Sequence, residues 1–214
     1  MAVGTQGHPL SATAPQAVSA NALRPPVDYV PRLFTVADLA VLPSELPSGP
    51  VLYELDNGRL ITMPPPGDIH GAVEGNLITA LKTQGEFRGL GKARCGEVSI
   101  ILWRNPDRVV GADVAFIANS SLPIRRSPEG YLETIPDLVV EVRSKNDTLP
   151  ALQRKTDDYL AAGVRVVWVV DPEARTITAH RRDAEPRVYR EDETLTVEDI
   201  IPGFQLLVRD ALQE

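Results

Sequence analysis

The sequence predicts an α/β fold: a mixed central β-sheet flanked by helices, with an N-terminal β-hairpin and a disordered N-terminal leader ahead of it. Three observations carry that expectation. Residues 137 to 171 read strand, helix, strand, an order that calls for a right-handed crossover onto a parallel pair. "VLYELDNGRLITM" is two alternating runs around Asp56-Asn57-Gly58, the signature of a hairpin. Residues 1–30 are rich in Ala, Pro, Ser, Gly and Gln without a hydrophobic period, so they cannot offset the entropy of ordering.

The domain is expected over residues 31–214, beginning with a short helix from Val36 to Leu42 capped by Thr35. The hairpin follows and forms one edge of the sheet. "DIHGAVEGNLITALKTQG" places Ile69, Val73, Leu77 and Leu81 at helical spacing, with Asp68 as N-cap and a stop near Gly85. "EVSIILW" and "RVVGADVAFI" read as strands joined by Asn105-Pro106-Asp107. After an irregular linker comes the strand "DLVVEV", then a helix whose period ends at Gly163, a natural C-terminal cap. "VRVVWVVD" is apolar without interruption and reads as a central strand covered on both faces, from which "TITAHRR" turns back.

A chain of 214 residues can bury one sizeable core. A net charge of −7 argues against a protein that coats nucleic acid non-specifically, although a local basic groove is compatible with it. Cys95 is the only cysteine, which excludes an internal disulfide and a cysteine-based metal site. No apolar run approaches the roughly 20 residues that span a bilayer, and no signal-peptide pattern opens the chain. A cytoplasmic location is the expectation. There is no glycine-rich phosphate loop and no HExxH motif.

Charged residues inside apolar strands then stand out. Glu141 lies in "DLVVEV" on the same side as Val139, and Asp113 lies in the equally apolar "RVVGADVAFI". If these strands are neighbours, about 4.8 Å apart, the two carboxylates can share one cation. Lys155 sits on the helix flank that packs toward the sheet and either snorkels to solvent or points at the carboxylates. Glu54 in the first hairpin and His70 at the start of the first long helix are further candidates, with a solvated face and a capping position as their ordinary roles. Asp113 alone suits a turn hydrogen bond, and Glu141 alone suits a pair with Arg143 or Lys145; the conjunction points to chemistry. Asp137 enters the strand about 13 Å from Glu141 and is read as a strand-end residue.

The segments "VLYELDNGRLITMPPPGDIHGAVEGNLITAL", "GADVAFIANSSLP", "GYLETIPDLVVEVRSKND", "LQRKTDDYLAAGVRVVWVVDPEARTITAHRR" and "IPGFQLLV" resemble the Uma-two family of endonucleases, a branch of the PD-(D/E)xK nuclease superfamily. The resemblance runs from about residue 32 to the C-terminus, with several motifs in order. It implies a restriction-endonuclease-like core and metal-dependent phosphodiester cleavage. The family's acidic residues fall on Glu54, Asp113 and Glu141, its lysine on Lys155, and a histidine at the start of its first long helix on His70. Two departures accompany it. Arg143 replaces a leucine while Lys145 and Asn146 replace Pro-Ser, and Gly111-Ala112 precedes Asp113 where proline is usual. Arg143 stands where the superfamily's lysine would be; it stays protonated, so its expected role is to hold a phosphate.

The resulting expectation is an endonuclease hydrolysing DNA, in which Asp113, Glu141 and Glu54 hold Mg²⁺ or Mn²⁺ and Lys155 orients the attacking water. A homodimer suits cleavage of both strands. The alternative is a catalytically inactive module that keeps the fold and binds nucleic acid or protein, motivated by the acidic balance and the altered "EVRSKND" loop.

Overall fold

A computed structural model describes residues 32–214, so the expected leader at 1–30 lies outside the described residues. Thr35 opens α1 (Val36–Leu39) with a capping box: its hydroxyl accepts from Asp38 N, and Asp38 accepts from Thr35 N at 2.9 Å. The helix is shorter than the expected run to Leu42, because Pro43 disfavours helical geometry at the residue before it. A small hairpin of β1 (Glu45–Leu46) and β2 (Gly49–Pro50), too short to show a period, precedes the one that was anticipated. That hairpin is β3 (Leu52–Asp56) with β4 (Arg59–Met63), closed by Asn57 and Gly58 at φ +50° and +77°. Two successive positive φ values match the right-handed twist of the strands, which is why Asn-Gly turns here.

In α2 (Asp68–Leu81) Val73, Leu77, Ile78 and Leu81 are buried. The N-cap is Gly67 and not Asp68, which is the first helical residue and complements the helix dipole there. The helical path continues as a π turn over Lys82–Glu86. Gly85 therefore does not stop the helix; a Cβ there would lie 2.6 Å from the Phe116 ring, so its role is close packing.

β5 (Gly91–Trp103) and β6 (Arg108–Ala118) form the longest hairpin. β5 starts six residues before the expected Glu97, its early part disguised by Lys92, Arg94 and Gly96. β7 (Leu138–Val142) leads to α3 (Leu149–Ala162), whose N-cap Thr148 accepts from Ala151 N and which ends at Gly163 with φ +114°. β8 (Val166–Asp171) then pairs parallel with β7, as the strand-helix-strand reading required. β9 (Thr176–Arg181) and β10 (Ala184–Arg190) complete the sheet antiparallel, and β11 (Thr194–Leu195), β12 (Leu206–Leu207) and α4 (Val208–Ala211) follow.

The eight-stranded sheet runs β10-β9-β8-β7-β6-β3-β4, with β5 also on β6. On one face Leu77, Leu81, Phe116, Val140 and Trp168 form a single apolar cluster; on the other, Val139, Val167 and Ile100 pack with Tyr159 of α3. Val109 pairs with Ile101 of β5 and Leu55 of β3, and Val114 with Cys95 of β5 and Val140 of β7. A residue has one neighbour on each side, so β3 and β7 share the edge of β6 opposite β5. Residues 110–113 fall between them with no strand on that edge. Asp137 is buried where β7 begins and accepts from Ala118 N at 2.7 Å, the strand-end role expected of it.

Candidate active site

The gap in the sheet leaves backbone polar groups of β6 in need of partners, and buried groups of that kind are costly unless bonded. Side chains supply them. Gly111 N–H donates to Glu54 Oε1 at 2.9 Å, and Gly111 C=O accepts from Lys155 Nζ at 2.8 Å. Lys155 Nζ also reaches Glu54 Oε1 at 2.9 Å and Glu141 Oε2 at 2.8 Å. An ammonium has three donors, and all three are engaged. Lys155 does not snorkel to solvent; its side chain is 16% exposed.

Two further α3 residues share the face that Lys155 presents, as spacings of three and four dictate. Tyr159 hydroxyl donates to Glu141 Oε1 at 2.6 Å. Asp158 accepts from Arg108 Nε at 2.7 Å, and the buried Arg108 guanidinium stands 3.6 Å from Glu54 Oε2 while donating to Leu55 C=O. Glu54 thus has a lysine at one carboxylate oxygen and an arginine near the other.

Asp113 accepts from Val142 N at 2.6 Å and lies 3.2 Å from His70 Nε2. Opposite Asp113, β5 carries a bulge: Cys95 pairs with Val114 and Val98 with Ala112, so Gly96 and Glu97 face one residue. Both bulge residues have positive φ, +84° and +54°. Glu74, one turn after His70 on α2, accepts from Gly96 N at 2.7 Å and fixes the bulge. Glu97 is thereby turned over Gly111, where a Cβ would lie 2.6 Å from Glu97 Oε2. Its carboxylate accepts no hydrogen bond among the described residues. Gly111, having no Cβ, makes room for it.

Burial pushes Glu141 up to about 8, with Asp113 adding to the rise and Lys155 opposing it. Glu97 is raised to about 7, by burial first and then by Asp113. Burial alone would lower Lys155, but Glu141 and Glu54 outweigh it and hold the ammonium charged. Burial likewise opposes protonation of His70, and its hydrogen bond to Asp113 with the charges of Asp113 and Glu74 reverses the sign. His70 Nδ1 is buried without a partner among the described residues.

The structure therefore brings Glu54, Glu141, Lys155, Asp113 and His70 into one site. Arg143 is not among them. Arg143 N–H still donates to Val170 C=O of β8 at 2.8 Å, and its guanidinium is taken up by Asp171 on that neighbouring strand, to which it donates at 2.6 Å. Glu141 pairs with Lys155, not with Arg143 or Lys145. The sequence reading missed Glu97, Glu74, Arg108, Asp158 and Tyr159 as site residues. Gly96 within a strand is a bulge signal and was the one local clue; Tyr159 passed as an apolar helix position, and Arg108 as the first residue of a strand.

The donors fit a hard cation in kind. Glu54, Glu97, Asp113, Glu141 and Asp158 face two permanent cations, Lys155 and Arg108, leaving an excess of carboxylate oxygen. The arrangement is less direct than the expected shared ion. Among the described residues no three His, Cys, Asp or Glu side chains converge on one point, because Lys155 fills the space between Glu54 and Glu141.

A mixed sheet with flanking helices, with a lysine among carboxylates at the gap near its centre, defines an α/β protein with a charged site set into its sheet. The chain belongs to the Uma2 family, described as "Putative restriction endonuclease", whose model matches residues 38–209. Among solved structures it is similar to a "putative nuclease belonging to DUF820" from Anabaena variabilis, with 19% identity, a TM-score of 0.67, and coverage of 84% of this chain and 97% of that one. That likeness shows the fold. Comparison with curated proteins gives no match. No helix among the described residues is long and apolar enough to cross a membrane.

Proposed function

We propose that the chain is a metal-dependent endonuclease hydrolysing phosphodiester bonds in DNA. One observation carries the reading: a half-buried lysine and two buried glutamates meet at a gap in the sheet, beside Asp113 and an unbonded Glu97. Stability alone does not account for such a set, since buried ion pairs are often no better than apolar packing. Asp113 and Glu141 would hold Mg²⁺ or Mn²⁺, Glu54 would bind or orient an additional water or ion, and Glu97 stands beside Asp113 as a further oxygen donor. Such an ion, when bound, supplies Lewis-acid charge and a water of lowered pKa. Lys155 keeps its proton and offers positive charge where negative charge grows on the phosphoryl oxygens. His70 holds Asp113 from the helix side, and Arg108 and Tyr159 fix Glu54 and Glu141 in orientation.

A binding module that keeps the fold without turnover is favoured by a different observation: every Lys155 donor is already spent on protein acceptors. Nicking of supercoiled plasmid by wild type and Glu141→Ala, in EDTA, Mg²⁺ and Mn²⁺, decides between them. Cleavage by wild type only, and only with metal, supports the nuclease. DNA affinity with no cleavage under any metal leaves the binding module.

A further inference from the structure

Two adjoining cavities lead from the surface to Glu97 and Gly111. The outer one, about 370 Å³, is lined by Arg94, Arg126 and Tyr131; the inner one, about 230 Å³, by Glu97, Gly111 and Tyr131. Ala40 of the turn after α1, Ser99 of β5 and Tyr131 line both. We propose that this passage binds unpaired nucleotides of a DNA strand beside the scissile phosphate, Arg94 and Arg126 holding phosphates and Tyr131 offering its ring to a base. The inference rests on the endonuclease reading and adds the form of substrate and the residues that seat it.

The passage is built, not incidental. Leu132 N–H donates to Ser99 C=O and Leu132 C=O accepts from Ile101 N–H, each at 2.9 Å, so the 126–132 loop is laced to β5. Arg126 pairs across that loop with Leu132, and Ser127 N–H donates to Tyr131 C=O at 2.9 Å. Tyr131 packs in part against the cluster of Val36, Leu39 and Leu55, which leaves little freedom to its ring. Arg94 spends one donor on Ala93 C=O, so four of its five N–H groups remain. Arg126 forms no ion pair among the described residues. Glu129 is the one carboxylate on the outer cavity, so its charge is positive, against −7 for the whole chain.

Charge and size select the occupant. A phosphodiester approaching a cluster of carboxylates needs fixed positive charge nearby, and arginine forks match phosphate oxygens. Cavities of this volume suit small-molecule-sized units, not the breadth of a duplex with its ~12 Å major groove. Base stacking on an aromatic ring with a basic track beside it is the physics of single-strand binding.

The test is fluorescence anisotropy of wild type, Arg94→Ala/Arg126→Ala, Arg94→Lys/Arg126→Lys and Arg187→Ala, in EDTA, with single-stranded and duplex DNA oligonucleotides over a salt series. Thermal melts of each variant accompany it, and plasmid and oligonucleotide cleavage by wild type is measured in parallel. The expected result is tighter binding of the single strand, weakened about tenfold by the alanine pair, with the log–log salt slope flattened by about 1.4 for two lost contacts. The lysine pair restores the slope, and Arg187→Ala, a charge removed at the far edge of the sheet on β10, leaves binding unchanged. Wild-type affinity and slope in the alanine pair, or preference for duplex, overturns the inference while metal-dependent cleavage keeps the endonuclease. Absence of both binding and cleavage in wild type overturns both.

Discussion

Lys155 Nζ lies 2.8 Å from Glu141 Oε2, across the gap that β3 and β7 leave beside β6. The pair joins the first strand of the crossover, β7, to the helix that follows it, α3. Glu141 is buried and the Lys155 side chain is only 16% exposed, so each depends on the other for compensation.

Lys155→Ala is expected to abolish metal-dependent nicking and to destabilise the fold by about 3–5 kcal/mol, because it leaves Glu54 and Glu141 buried without their cation. Urea unfolding measures the second effect. Adding Glu141→Gln to Lys155→Met should recover part of that stability and none of the activity; equal stability of Lys155→Ala and wild type would refute the pairing.

Stability of the metal-free protein should fall as pH rises from about 4.5 to 8. Glu97 and Glu141 have ordinary values of 4.5 and are raised to about 7 and about 8 in the fold, so over this window the folded state holds protons that the unfolded state has released. Their contribution is complete below the unfolded value and lost as pH climbs through the folded ones. Lys155 is raised as well and stays charged throughout, adding no slope here. Melting scans in EDTA should show the decline, and Mn²⁺ should lessen it; a melting temperature that climbs steadily to pH 8 contradicts the assignment.

Gly111→Ala is expected to lower nicking more than stability. The new Cβ would meet Glu97 Oε2 at 2.6 Å, and that atom is the free end of a flexible side chain that can swing aside. Glu97→Ala should reproduce the loss, and the double variant should be no worse than either. Full activity in Gly111→Ala would show that the position of Glu97 is immaterial.

Arg108→Ala should cost several kcal/mol, about 3–5 by analogy with other broken buried pairs, since it strands Asp158 and removes the second cation beside Glu54. Pairing it with Asp158→Leu should recover much of that loss in a chemical denaturation experiment. A surface-like cost well under 1 kcal/mol for the single variant would mean the guanidinium is dispensable.

Much of the fold was legible because local chemistry and tertiary structure agree. Asn57-Gly58 closes the hairpin that its positive φ values demand, and Gly163 ends α3 as its capping preference predicts. Glu54, Asp113, Glu141 and Lys155 stood out because a charge inside an apolar period needs a partner. Glu97 was hidden in a strand whose polar residues broke the alternation, and Arg108 and Tyr159 carried no local mark of the carboxylates they would meet. Arg143 stands apart from the cluster because its guanidinium meets Asp171 of β8, a partner that the β7 segment does not announce.

The sequence by itself determined the hairpins, the parallel strand pair and the kinds of side chain available for chemistry, since periodicity, turn residues and caps act within a few residues. The tertiary structure alone decided that β3 and β7 part beside residues 110–113. Leu55 meets Val109, and Glu54 meets Gly111, across more than fifty residues of chain. Such register is set by packing many distant strands at once, and the unpaired backbone it exposes is what draws Glu54 and Lys155 into one place.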